Sequence, residues 1–348
     1  SHKVSSPLMA KVLNVGSQSD VRVRAMRKVS ETSDNPDVRI IEEMSNEVVA
    51  VALQSGNVNL VGGTAWLWAR PEMMESVDVL FVDEAGQLSL IDTVAVSQAA
   101  TNLVLLGDPQ QLQQPQQGSH PEGTEVSALH HILKNDQTIR DDKGIFLSTT
   151  WRMHPSICSF VSELFYENRL GPNDGLENQR LDGDPEFEGS GLYYRAVDHE
   201  GNQSSSRQEA EYIRDLISRL TNGKVTYANK DKISRVLTVN DIKVITPYNA
   251  QVNLLSNILP DGIQIGTVDK FQGQEAPVII FSMATSTPSD APRGMEFLYS
   301  RNRFNVAVSR ARASFILVAS PKLFEPDCKN VEQMKLANAF SRYLEVAR

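Results

Sequence analysis

The sequence predicts an α/β fold in two domains, and three observations carry that expectation. Short β-branched runs recur without polar alternation, the pattern of strands buried on both faces, as in a parallel sheet. Stretches with apolar residues at helical spacing lie between those runs. The runs form two groups, which divides the 348 residues into an expected first domain over 1–145 and a second over 146–348.

The strand runs are "VNLV" at 58–61, "VLFV" at 79–82, "LVLL" at 103–106, "IKVIT" at 242–246, "VIIFSM" at 278–283 and "FILVA" at 315–319. After His154-Pro155, residues Ile157, Phe160, Val161, Leu164 and Phe165 repeat at helical spacing, with Pro155 suited to the first turn. Ser206 and Glu209 are spaced as a capping box for a helix whose apolar face is Ile213, Leu216, Ile217 and Leu220. The polar, turn-rich stretch from Gly171 to Ser206 is expected to run over the surface.

Composition narrows the class. Hydrophobic residues make up 41 % and charged residues 22 %, a globular rather than a disordered profile. No apolar run approaches the ~18 residues of a membrane span. Cys158 and Cys328, the two cysteines, cannot build a disulfide framework or a zinc site, and a reducing, intracellular compartment is expected. A net charge of −9 speaks mildly against nonspecific attraction to nucleic acid but leaves room for a local basic groove. Basic residues cluster at Arg22–Lys28 and Arg301–Arg312.

The chemistry begins at "VLFVDEAGQLSL", where Asp83 and Glu84 follow a buried strand. Ligands of doubly wound sheets bind beyond the carboxyl ends of strands, and a nucleotide-bound Mg²⁺ needs a carboxylate there. An adjacent acid can orient an attacking water. The next strand ends in "GDPQQL", where the Gln111 amide can hydrogen-bond a phosphate oxygen or a water. Arg152 lies at the start of a helix in "WRMHP", and Arg310 and Arg312 stand just before a strand in "NVAVSRAR". Arginine near a transferring phosphoryl group stabilises charge on its oxygens, whereas the plainer reading is salt bridges to nearby acids.

Taken in order, "GGTAWLWAR", "DEAG", "GDPQQL", "WRMHP", "TVDKFQGQE" and "NVAVSRAR" resemble the motifs of superfamily 1 helicases. The branch is that of the nonsense-mediated-decay helicase, senataxin and bacterial nuclease–helicase fusions. The resemblance covers roughly residues 58–320. It implies two RecA-like parallel-sheet domains of the P-loop NTPase type, with ATP and Mg²⁺ bound in the cleft between them. It further implies movement along single-stranded DNA or RNA, 5′ to 3′.

Carried over motif by motif, Asp83 would hold Mg²⁺ and Glu84 would act on the attacking water. Gln111 would sense the γ-phosphate. Arg152 and Arg310 would reach the phosphates, with Arg312 beside them. Glu275 would contact the ribose or γ-phosphate region, and Trp151 would pack near the base. Thr64 and Thr267 would touch the nucleic-acid backbone. Trp66 and Tyr248 are candidates for base stacking. Trp66 and Trp68 share one strand face by parity, so burial is expected for at least one of them.

One part is missing from the pattern. These enzymes cradle phosphates with a Gly-rich loop ending in Gly-Lys-Thr or Gly-Lys-Ser, and none precedes Asp83. "NVGSQSD" has one glycine and no following lysine, and "NGKV" at 222–225 lies in the wrong half. The expectation is a first domain truncated at its N-terminus, in a fragment of a longer helicase that carries a nuclease or other domain ahead of it. By itself such a fragment is expected to be inactive. The alternative is a non-hydrolysing pseudo-helicase that binds nucleic acid or protein, against which stands the joint presence of Asp83, Glu84, Gln111, Arg152 and Arg310.

Overall fold

Each β-branched run singled out in the sequence forms a strand, and each of those strands pairs in parallel. The structure, a computed structural model, describes residues 2–19, 21–112, 126–134 and 136–348. It divides into two compact units. The first takes the described residues of Ser1–Pro109 and Gln113–Asn135, and the second takes Gln110–Leu112 and Asp136–Arg348.

In the first unit the order is α1 (His2–Gly16), β1 (Ala25–Lys28), β2 (Ile40–Glu43), α2 (Asn46–Gln54) and β3 (Leu60–Gly62). There follow α3 (Ala65–Trp68), β4 (Val77–Val82), α4 (Leu90–Ser97), β5 (Ala100–Leu105) and α5 (Ala128–Leu133). Strands β2-β1-β3 form one parallel sheet and β4-β5 a second. Serines start the helices: Ser45, Ser89 and Ser127 each accept a backbone N–H of the first turn of α2, α4 and α5.

The expectation of strands buried on both faces fails at β4. Leu80 and Val82 are buried against Val96, Ala99 and Leu129, while Val79 and Phe81 on the other face are exposed. The cause is coverage: Leu80 and Val82 share one apolar cluster with side chains of α2, α3, α4 and α5, and Val79 and Phe81 are outside it.

The second unit opens with β6 (Thr149–Thr150), α6 (Pro155–Phe165), β7 (Gly171–Pro172), β8 (Arg180–Asp182) and β9 (Gly191–Ala196). It continues with α7 (Arg207–Leu220), β10 (Thr226–Ala228), β11 (Ser234–Val236), β12 (Ile242–Thr246), α8 (Asn249–Ile258) and β13 (Gln264–Thr267). Strand β14 (Ala276–Ser282), α9 (Gly294–Leu298), α10 (Arg301–Val308), β15 (Ala311–Ala319) and α11 (Val331–Val346) complete it. A five-stranded parallel sheet in the order β13-β12-β14-β15-β9 is its centre. Every residue of β12 and β14 is buried, Lys243 and Thr246 included. Helix α6 buries Ile157, Phe160, Val161 and Phe165, starting at Pro155 with the His154 ring as its cap. Among the described residues no helix is long and apolar enough to cross a membrane.

Two expectations are corrected here. The stretch 171–206 is not all surface: β8 pairs antiparallel with β10, and Leu176, Gln179, Leu181, Phe187 and Tyr193 are buried. Apolar residues spaced through a polar segment anchored it, and no local periodicity marked them. Nor does Glu209 close a capping box. Ser206 Oγ accepts the Glu209 N–H at 3.2 Å, but the Ser206 N–H donates instead to Gln251 Oε1 at 2.8 Å.

The Glu209 carboxylate turns inward. It accepts from Ser282 Oγ at 2.6 Å and from the Ala284 N–H at 2.9 Å, and meets His199 Nε2 at 3.0 Å. His199 Nδ1 lies 2.8 Å from Ser286 Oγ. This wholly buried network ties α7 and α8 to the carboxyl end of β14. Glu209→Ala would strand its partners without water, so a loss of about 3 kcal/mol is expected. Urea unfolding measures it: a midpoint equal to wild type would show that the network is dispensable, while Glu209→Gln should lose less.

Candidate functional site

The acidic pair sits on a turn held by backbone. The Leu106 N–H donates to Val82 O and the Ala85 N–H to Leu106 O, both at 2.8 Å, so the ends of β4 and β5 stay laced together. Two glycines make that approach possible. A Cβ on Gly86 would lie 2.5 Å from Asp108 O, and one on Gly107 would lie 2.7 Å from the Ala85 nitrogen. The glycines of "DEAG" and "GDP" therefore answer one steric demand.

Within the turn Glu84 has φ +55°, the left-handed region that a residue with a Cβ enters at a cost of ~1 kcal/mol. The Glu84 N–H donates to Asp83 Oδ1 at 3.0 Å, and Gln87 Nε2 donates to Glu84 Oε2 at 3.2 Å. Asp83 is exposed and Glu84 half-buried, both just past the carboxyl end of β4. Among the described residues no cluster of three or more His, Cys, Asp or Glu could hold a metal alone. One exposed carboxylate fits Mg²⁺, which keeps several waters and takes its other ligands from substrate phosphates.

The second unit gathers the arginines around one acid. Glu275 precedes β14, Arg312 is the second residue of β15, and Arg152 precedes α6. Arg152 Nε donates to Glu275 Oε2 at 2.5 Å, Arg312 Nε donates to Oε1 at 3.0 Å, and Arg312 Nη2 also donates to Oε1. Burial alone would raise the Glu275 carboxyl, but the hydrogen bonds from Arg152 and Arg312 hold it below its ordinary range. Two guanidiniums against one carboxylate leave this corner with excess positive charge. Lys243 adds to it: its ammonium donates to Gln264 and, at 2.7 Å, to Gln274 Oε1. Burial lowers its proton affinity while Glu275 raises it.

Sequence reasoning missed what orients the pair. Gln179, 3 % exposed, donates to Arg152 O at 2.7 Å and to Arg312 O at 3.3 Å, and accepts from the Tyr227 hydroxyl at 2.8 Å. It lies in the segment read as surface, and one glutamine there carries no signal. Arg152 Nη1 further donates to Ser309 O at 3.0 Å.

Arg310 and Gln111 are brought together. Arg310 is 2 % exposed; its Nη2 donates to Gln111 Oε1 at 3.3 Å and its Nε to Val306 O at 3.0 Å. Side chains of α10 hold the Gln-Gln backbone: Asn302 Nδ2 donates to Gln111 O at 2.6 Å and Asn305 Nδ2 to Gln110 O at 3.0 Å.

The nucleic-acid candidates divide. Thr64 follows β3 and Thr267 ends β13, and each is the N-cap of a short helical turn without using its hydroxyl to cap it. Trp66 is 84 % exposed and Trp151 68 % exposed. The parity expected of Trp66 and Trp68 is not that of a strand: residues 65–68 are helical, which turns Trp66 outward and buries Trp68 at 7 %. Tyr248 is corrected. Its ring lies in the core, 5.5 Å from that of Phe297, so its face is not available to a base.

Residues 124–322, more than half of the chain, match the AAA domain family. The chain is 29 % identical to helicase sen1 of Schizosaccharomyces pombe over 267 residues, covering 71 % of this chain and 15 % of that protein. It is 28 % identical to a probable helicase of Dictyostelium discoideum over 305 residues, covering 84 % and 29 %. With the DNA polymerase alpha-associated DNA helicase A of S. pombe it shares 30 % over 253 residues, covering 69 % and 37 %. The chain thus spans well under half the length of each of these relatives. With its parallel-sheet units and ordered motifs, the chain belongs to the AAA domain family, in the superfamily 1 helicase branch of the nonsense-mediated-decay helicase and senataxin.

Proposed function

We propose that this chain supplies the motor core of an ATP-dependent helicase or translocase that moves 5′ to 3′ along single-stranded DNA or RNA. Membership of the family implies ATP use. The observation that carries the finer reading is the excess of guanidinium over carboxylate around Glu275, with Arg310 on the Gln111 amide close by in the chain's fold.

Each side chain has a task in that reading. Asp83 would hold Mg²⁺, which when bound neutralises phosphate charge. Glu84 would orient the attacking water. Arg152 and Arg312, partly buried and with their backbone carbonyls held by Gln179, would exchange part of their hold on Glu275 for phosphate oxygens. Arg310 would meet charge spread over the γ-phosphate oxygens, and its bond to Gln111 would pass the presence of that phosphate to the backbone held by α10. Trp151, exposed beside Arg152, would pack on the nucleotide base. Thr64 and Thr267 would contact the phosphodiester backbone, and Trp66 would stack on a base.

Single-strand-stimulated ATP hydrolysis by the natural polypeptide carrying these residues tests the reading. Arg310→Ala is expected to lower kcat about 10³-fold or more, and Asp83→Ala to abolish Mg²⁺-dependent turnover. Unchanged stimulation in both variants would sink the proposal. The 348 residues by themselves contain no Gly-Lys-Thr or Gly-Lys-Ser and are expected to turn ATP over near background.

The depressed Glu275 carboxyl gives a second check. A group held below its ordinary value of 4.5 adds stability that is present above that pH and is lost as pH falls through the folded-state value. Wild type should therefore lose more stability on acidification below pH 4.5 than Glu275→Gln does. Parallel acid-unfolding curves for the two would count against Glu275 as the arginines' counter-ion.

A further inference from the structure

A second basic feature of the larger unit lies at the other end of its sheet. Glu275 marks the amino end of β14, whereas Thr267 closes the carboxyl end of β13 and Tyr248 follows the carboxyl end of β12. Against Tyr248 packs Phe297 of α9, and two arginines share that one ring. The Arg293 guanidinium carbon is 3.8 Å from the ring centre and that of Arg303 is 4.4 Å. Arg293 precedes α9 and Arg303 lies in the first turn of α10.

Holding two like charges on one ring is unfavourable unless something compensates them. Cation–π contact returns only ~0.5–1 kcal/mol each at such sites. Burial lowers the proton affinity of Arg303; Asp269, in the turn after Thr267, opposes that, and Arg293 adds to it. Among the described residues neither guanidinium makes a salt bridge within 4 Å or donates a hydrogen bond. Each presents five N–H donors in a planar fork, the geometry that takes phosphate oxygens two at a time. Contact with a buried ring restricts both side chains in advance, so less freedom is lost when an anion binds. The Thr267 hydroxyl, not spent on its own helix turn, belongs to the same carboxyl end of the sheet.

We propose that Arg293 and Arg303, stacked on Phe297, form a clamp for successive phosphates of a single nucleic-acid strand at the carboxyl end of this sheet. The clamp rests on the nucleic-acid reading above and adds to it the residues that supply the backbone charge. Because it reads phosphate and not bases, it contributes affinity without sequence preference.

Binding of fluorescently labelled oligouridylate and oligothymidylate to the chain, followed by anisotropy across a salt series, tests it. Arg293→Gln/Arg303→Gln should weaken both complexes and reduce the slope of log K against log salt by about 1.4, the value for two single-strand phosphates. Arg293→Lys/Arg303→Lys keeps the charge but not the stacked fork, so it should hold the slope and still bind more weakly. Arg214→Gln, an exposed charge on α7, should leave the slope unchanged. An unchanged slope in the double glutamine variant, with wild type binding, overturns the clamp and leaves the helicase reading standing. A slope lowered as much by Arg214→Gln overturns it too, by showing bulk charge alone. If the glutamine pair melts early, the lysine pair decides, and wild-type affinity there overturns the clamp. If wild type binds neither strand, the nucleic-acid reading falls and the clamp with it.

Discussion

In the five-stranded parallel sheet β13-β12-β14-β15-β9 the three inner strands β12, β14 and β15 are buried on both faces, and the rest of the larger unit follows from that burial. In a parallel sheet each crossover leaves the carboxyl end of one strand and returns to the amino end of another, so the loops and most of the charged groups collect at its two ends. At the amino end stand Arg152, Glu275, Arg312 and Lys243; at the carboxyl end stand Thr267 and the network of Glu209, His199, Ser282 and Gln251. The segment Thr267–Glu275 is a short crossover from one end to the other, shorter than those between β12 and β13 or between β14 and β15. Whatever binds at either end is joined through it by nine residues of backbone.

Buried polar groups pin these ends, and both sets are satisfied mainly by partners far away in sequence. Gln179 bridges two arginine carbonyls and a tyrosine hydroxyl, and Glu209 is shared by a histidine, a serine and a backbone amide. A buried amide or carboxylate with full hydrogen bonding fixes geometry, because any other arrangement leaves a donor or acceptor dry. That makes the arginines around Glu275 oriented groups rather than mobile surface charges.

The smaller unit works differently. Its acidic turn depends on a close approach of two backbones, allowed because Gly86 and Gly107 have no Cβ. Its strands β4 and β5 are covered on one face, and Phe81 stays exposed. The same kind of apolar run thus has two fates, decided by which helices lie over it.

The sequence by itself determined six of the strands, the α/β class, the family and the order of the chemical residues. Each depends on local pattern: β-branched runs without polar alternation, a proline at a helix start, short motifs in a fixed order. Only the tertiary structure decided that Glu275 lies between two arginines, that Arg310 meets Gln111, and that Trp66 points outward while Trp68 and Tyr248 are buried. It alone revealed Gln179, and Phe297 carrying Arg293 and Arg303. The physical reason is distance along the chain. Arg152 and Glu275 are 123 residues apart, and the sheet order brings those segments together. Gln111 and Arg310 are 199 apart, and the Asn302 and Asn305 side chains of α10 hold the Gln-Gln backbone beside that arginine.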